Sequence, residues 1–163
     1  MTGAVVVNAA GAYVARMSTT DAIPAQTIDE TLAELVEEFD LLGDWEGQIE
    51  YVIDLGKGLA PLPQHARVEA NKVPGCAAQV WLSTRRADGR LFFDADSDSP
   101  MSKGNIALLL KLYSGRAPSE ILAFDARAAL DRLGLPSVLI PARANGLYNM
   151  VGRIREAAAQ TAV

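Results

Sequence analysis

Two apolar-rich stretches, Val80 to Arg85 and Arg90 to Ala95, flank Ala87-Asp88-Gly89, and this arrangement limits the possible folds more than anything else in the chain. Asp-Gly between strand-like runs signals a tight hairpin turn, because both central positions of such a turn need a positive φ. Every other patterned segment has helical spacing. The strands therefore cluster mid-chain and do not alternate with helices, which excludes a parallel βαβ sheet. The expected class is α+β: a small antiparallel, hairpin-centred sheet packed against several helices.

The helices announce their own starts and stops. Thr27-Ile28-Asp29-Glu30 is a capping-box pattern, and Leu32, Leu35, Val36 and Phe39 follow as one apolar stripe. Leu41-Leu42-Gly43 ends that helix. Asp44 caps a second, on which Trp45, Ile49, Val52 and Ile53 share the face expected to be buried; Gly56 or Gly58 stops it. Pro61-Leu62-Pro63 forbids helix and opens a long loop. Beyond the hairpin, Ser99-Pro100 suits an N-cap and first turn for a helix to Tyr113. Its run Ile106 to Leu110 is apolar on all sides, as a central buried helix would be. Short helices are expected at Pro118-Ser119-Glu120 and over Arg127 to Leu133. A last one runs from about Ala142 to Ala159, with Leu147, Met150, Val151, Ile154 and Ala158 as its buried stripe. Arg143 sits near the start of that helix, where a cation is unfavourable for the helix dipole, so it should answer to a partner elsewhere. Residues 1–26 are low in charge and are expected to be a poorly ordered extension, with residues 27–163 forming the domain.

The chemistry centres on Asn71-Lys72-Val73-Pro74-Gly75-Cys76-Ala77-Ala78-Gln79-Val80-Trp81-Leu82, which holds the only cysteine. Pro74-Gly75 makes a turn and Gln79 onward starts a strand, so the thiol stands at a loop tip beside a rigid element. A lone cysteine is more often a small buried hydrophobe; the Pro-Gly turn argues against that here. With no second thiol there is no internal disulfide, no Cys-x-x-Cys redox pair, and too few soft ligands for zinc or an iron–sulfur cluster. A group held on Cys76 leaves only to another molecule. Asp94, Asp96 and Asp98 alternate near the end of the second strand. They lack the spacing and terminal Glu of a calcium loop and read better as caps or partner contacts.

The 163 residues suit one domain with a single core. A formal net charge of −5 gives no footprint for nucleic acid or an anionic membrane surface. No apolar run approaches the roughly 18–20 residues of a membrane span. A solitary cysteine without a disulfide framework points to a reducing compartment, hence a cytoplasmic location.

Around Val73-Pro74-Gly75-Cys76-Ala77-Ala78-Gln79-Val80-Trp81 the chain resembles the SufE-like sulfur-acceptor family of iron–sulfur cluster assembly. Four further blocks agree in order: Asp44-Trp45-Glu46 with Ile53-Asp54-Leu55-Gly56; Asp96-Ser97-Asp98 with Lys103-Gly104; Ser114-Gly115 with Pro118 and Glu120-Ile121; and Pro141-Ala142-Arg143 with Asn145-Gly146-Leu147 and Met150. The resemblance implies a compact α+β domain similar to the scaffold proteins of the same pathway. It implies a carrier that takes persulfide sulfur from a cysteine desulfurase onto Cys76, stimulates that enzyme and passes the sulfur to the assembly scaffold. It implies no cofactor of the chain's own; pyridoxal phosphate belongs to the desulfurase. Arg143 is the candidate stabiliser of negative charge on sulfur, and Val73, Ala77 and Trp81 could line an apolar shelter. Gly75, Ala77, Ala78, Gln79, Asp96 and Asp98 are candidate partner contacts, and the protein is expected as a monomer or weak homodimer. Two positions depart from the family pattern. Ala77-Ala78 replace a polar pair, and Val138 stands where a polar residue is usual.

A competing reading makes Cys76 the nucleophile of a hydrolase with His65, the only histidine, as its base. A cluster-binding scaffold is a third reading, which one cysteine per chain could satisfy only by dimerisation.

Overall fold

Two helices, a hairpin and then further helices follow one another along the chain in a computed structural model that describes residues 23–135, 139 and 141–161. The extension expected at residues 1–26 falls mostly outside the described residues, as does Val138. The elements are α1 (Ile28–Leu42), α2 (Trp45–Lys57), β1 (Val80–Ala87), β2 (Arg90–Ser97), α3 (Pro100–Tyr113), α4 (Pro118–Ala123), α5 (Ala126–Leu133) and α6 (Pro141–Thr161). Single 3-10 turns at Gln64–Ala66 and Glu69–Asn71 interrupt the loop between α2 and β1. The expected class is what the chain adopts: an antiparallel two-stranded sheet covered by helices.

The caps act as their sequences predict. Thr27 Oγ1 accepts from Glu30 N, Asp44 Oδ1 from Gly47 N, and Ser99 Oγ from Ser102 N. Each satisfies a backbone donor that the first helical turn leaves without a partner. The strands run two residues longer than their hydrophobic patterns suggest. Ala87 pairs with Arg90, so Asp88-Gly89 alone make the turn, at φ values of 52° and 74°. That double positive φ is the hairpin geometry the Asp-Gly pair encodes.

Helix α3 is the centre of the molecule. Ile106 to Leu110 are all buried, with α2, α6 and β2 packed around them. Helix α2 comes so close that an added Cβ on Gly56 would lie 2.6 Å from the backbone N of Gly104. Gly56 thus belongs inside α2 as a backbone-contact residue, and Gly58 forms the cap. On α6, all five residues of the expected stripe are buried.

One core expectation fails. Trp45 is 57 % exposed and Ile49 and Ile53 are only half-buried, while Val52 and Gly56 carry the buried face of α2. The tight Gly43-Asp44 turn starts α2, and the face that packs on α3 lies further along it, at Val52 and Gly56. Helical periodicity groups these side chains on one face but does not show which part of that face a neighbouring helix covers.

Candidate functional site

Cys76 sits on a turn that only its own neighbours could make. Pro74 fixes one backbone angle and Gly75 takes φ +76°, the Pro-then-Gly order of a type II turn. Before the turn, Val73 N donates to Val80 O at 2.8 Å and Lys72 bridges to Trp81, so the loop is stitched to the edge of β1. After it, Gln79 N donates to Asp98 Oδ1 at 3.0 Å and Gln79 O accepts from Ser97 Oγ at 2.7 Å. The turn between is exposed at Pro74, Gly75 and Ala77, and Cys76 itself is half-buried.

The bed beneath the turn is one face of α6. Gly146 contributes its carbonyl, 3.7 Å from Cys76 Sγ, and a Cβ added there would meet the cysteine at 3.6 to 3.8 Å, so the turn lies in van der Waals reach of the helix. One turn on, the Asn149 side chain covers Gly75 so closely that a Cβ at 75 would collide with it. A further turn on, Arg153 Nη2 donates to Ala70 O at 2.6 Å and ties down the start of the loop. Sequence reasoning placed these residues on the last helix but gave only Arg143 a role. The available signal was Gly146, an isolated glycine inside a helical pattern, whose propensity cost asks for a packing or functional reason.

Burial pushes the Cys76 thiol pKa up from its ordinary value. A group half removed from water disfavours its charged form, so the resting thiol is held protonated. Arg143, one turn before Gly146, donates from Nη1 to Ser99 Oγ at 3.2 Å, which answers the expectation of a distant partner with a hydroxyl, not an anion. Val73 is fully enclosed, Trp81 half-buried, and the Arg67 guanidinium lies 5.4 Å from the Trp81 ring centroid.

Asp96 faces inward, contrary to its reading as a partner contact. It is 2 % exposed and accepts from Ser97 N, from Leu62 N at 3.1 Å and from Arg67 Nη2 at 2.5 Å, with Lys103 Nζ 3.6 Å away. Burial alone would raise its pKa, but these donors and cations outweigh it and hold the carboxyl below its ordinary value. The carboxylate anchors the Pro61–Arg67 loop to the end of β2. Asp98 and Gln79 remain exposed, and Ala78 is half-buried. Asp94 is occupied by Arg85 at 2.8 Å. His65 is exposed on its 3-10 turn, and among the described residues it makes no hydrogen bond to Cys76, whose Sγ is directed to Gly146 O. Among the described residues no three His, Cys, Asp or Glu side chains gather as a metal site, and no helix is long and apolar enough to cross a membrane.

Known proteins resemble this chain over most of its length. Residues 33–158 match the SufE family, described as a Fe-S metabolism associated domain. An uncharacterized SufE-like protein of Rhizobium etli is 42% identical over 132 residues, covering 78% of this chain and 89% of its own length. A second, from Rhizobium meliloti, is 39% identical over 132 residues, with 78% and 94% covered. The solution structure of a hypothetical protein from Thermus thermophilus superposes with a TM-score of 0.67 at 18% identity, covering 81% of this chain and 96% of that one, which establishes the shared fold. With the cysteine turn, its strand and its helical bed in the order that the matched domain spans, the chain belongs to the SufE family and has a role in Fe–S metabolism.

Proposed function

We propose that the protein is a sulfur carrier that accepts persulfide sulfur on Cys76 from a cysteine desulfurase and delivers it to a cluster-assembly scaffold. The observation that carries this reading is the single thiol on a pre-set turn, tethered at both ends and laid on α6 without a histidine or second cysteine beside it. Such a site suits exchange with other molecules better than hydrolysis.

The transfer needs no oxidant. Cys76 loses its proton and its thiolate attacks the outer sulfur of the desulfurase persulfide. The enzyme's S–S bond breaks, its cysteine leaves as a thiolate that takes up a proton, and a new S–S bond forms on Cys76. The sulfane sulfur keeps its oxidation level throughout. Delivery repeats the step with a recipient thiol as attacker. Pyridoxal phosphate chemistry stays in the desulfurase. The raised thiol pKa keeps the thiolate scarce at neutral pH, so the unpartnered carrier is quiet toward small oxidants. Arg143, released from Ser99, is a cation of this helix that would offset charge on sulfur, Arg153 being engaged by the Ala70 carbonyl; exposed Gly75, Ala77, Gln79 and Asp98 form the surrounding contact surface.

The test is mass spectrometry after incubation with the cognate desulfurase and free cysteine. One added sulfur should map to the peptide containing Cys76 and vanish in Cys76→Ser, which also stops stimulating the desulfurase. Absence of that added mass on the wild-type peptide would remove the proposal.

A further inference from the structure

The α1–α2 corner is left over from the site just described. Among the described residues, five large apolar side chains are exposed, and three of them, Leu41 (87 %), Leu42 (37 %) and Trp45 (57 %), lie within five positions at this corner. Exposed apolar groups gathered in one place mark interaction surfaces. The charge around them is one-signed. From Ile23 to Gly56 the chain carries ten Asp and Glu and no Lys or Arg, whereas from Lys57 onward Lys and Arg outnumber Asp and Glu. Some of these carboxylates are engaged: Asp44 caps α2, Glu38 accepts from Tyr51, and Asp54 meets Lys57 at 3.3 Å. Glu37, Asp40 and Glu46 stand exposed around the corner. Two cations reach the α1–α2 pair from outside it: Lys111 Nζ lies 3.5 Å from the Tyr51 hydroxyl, and Arg116 Nη2 donates to Thr31 Oγ1 at 3.1 Å near the start of α1.

We propose that this corner is a second docking surface, for the protein that receives sulfur, and that it fits a pocket with an apolar floor and a rim of Lys and Arg. The inference rests on the carrier reading of Cys76. Charge complementarity selects the occupant. A second copy packing corner to corner would bring two acidic rims together. Position selects its role. Trp45 stands eleven residues before Gly56, about 16 Å along α2 from the crossing with α3. Ser99, the partner of Arg143, lies at that α3 end. The loading enzyme must occupy the Cys76 turn. A recipient held at the corner can stay bound while loading takes place.

The experiment uses the full chain with the desulfurase and cluster-assembly scaffold of the same organism, and two variants. One is Leu41→Ser/Trp45→Ser. The other is Glu37→Gln/Asp40→Asn/Glu46→Gln, which spares the Asp44 cap. Loading of Cys76 should stay at the wild-type level in both. Scaffold affinity and sulfur delivery should fall roughly tenfold or more in the apolar variant, as loss of a central aromatic anchor does. In the charge variant the salt dependence of binding should flatten. Wild-type delivery in both variants overturns the proposal. Equal loss of loading and delivery assigns the corner to the desulfurase and overturns it too. So does self-association abolished by the apolar variant, or amide protection of Leu41–Trp45 that disappears on deleting residues 1–22. Failure of wild-type Cys76 to load at all is a separate result that removes the carrier reading itself.

Discussion

Cys76 Sγ and the carbonyl oxygen of Gly146 lie 3.7 Å apart, and an added Cβ on Gly146 would lie 3.6 Å from the same sulfur. The resting position of the thiol is therefore set by a helix seventy residues away in sequence, through backbone and not through a side chain. The first prediction follows from the spacing. Alanine at 146 makes ordinary van der Waals contact and removes a helix-interior glycine, so Gly146→Ala should raise stability by up to about 1 kcal/mol. Gly146→Leu has no room beside the sulfur and should drive the turn outward. Alkylation of Cys76 by iodoacetamide should be little changed in the first variant and severalfold faster in the second.

The second prediction concerns pH. Because burial raises the thiol pKa in the folded state, the unfolded chain ionises first as pH climbs. The stability this group contributes is complete below the unfolded cysteine value of about 8.5 and is lost as pH rises through the higher folded value. Denaturant midpoints of wild type and Cys76→Ser, compared from pH 7 to 10, should diverge only above about pH 8.5, with wild type falling faster. The alkylation rate should likewise have its midpoint above the ordinary cysteine value.

A third prediction separates the buried carboxylate from the exposed ones. Asp96→Asn leaves Arg67 and Lys103 facing a neutral group and weakens the bonds to Leu62 N and Ser97 N. Breaking a buried, multiply bonded charge should cost about 3 kcal/mol. Asp98→Asn, at an exposed oxygen, should cost under about 1 kcal/mol. With its folded pKa depressed, Asp96 contributes stability above its unfolded value of about 3.9 that is lost as pH falls through the lower folded one. The acid-side loss of stability should be shallower in Asp96→Asn than in wild type.

The fourth prediction tests the helix crossing. Gly56→Ala would place a methyl 2.6 Å from Gly104 N, against backbone that has no rotamer to yield. Overpacking should outweigh the gain in helix propensity and lower stability by about 3 kcal/mol, read from the denaturant midpoint at unchanged slope. Gly152→Ala, on α6 with open space around the new methyl, should be neutral or slightly stabilising.

Most of the fold was legible because its signals are local. The caps at Thr27, Asp44 and Ser99, the Asp88-Gly89 turn and the apolar stripe of α6 each encode a backbone choice within a few residues. The turn that presents Cys76 was legible for the same reason. What failed depended on distance in space. Trp45 fits the periodicity of α2, yet the face that packs on α3 is carried by Val52 and Gly56. Asp96 fits an exposed alternation, yet the Pro61–Arg67 loop folds over it. Asn149 and Arg153 have no motif of their own, and their contact with the cysteine loop appears only once α6 is packed against it. Arg143 stands out in the sequence by its cost to the helix dipole, and the hydroxyl it meets belongs to the cap of another helix.

The two anchors of the cysteine loop have a mechanical consequence. Val73 is bonded to β1, and Gln79 is held by Ser97 and Asp98. Only Pro74 to Ala78 lie between these fixed points. A leash of that length, paid out fully and pivoting on both ends, moves its midpoint by about 10 Å at most. On the proposed carrier reading, a donor or recipient would have to bring its own sulfur most of the way, reaching into this surface with a projecting segment of its own.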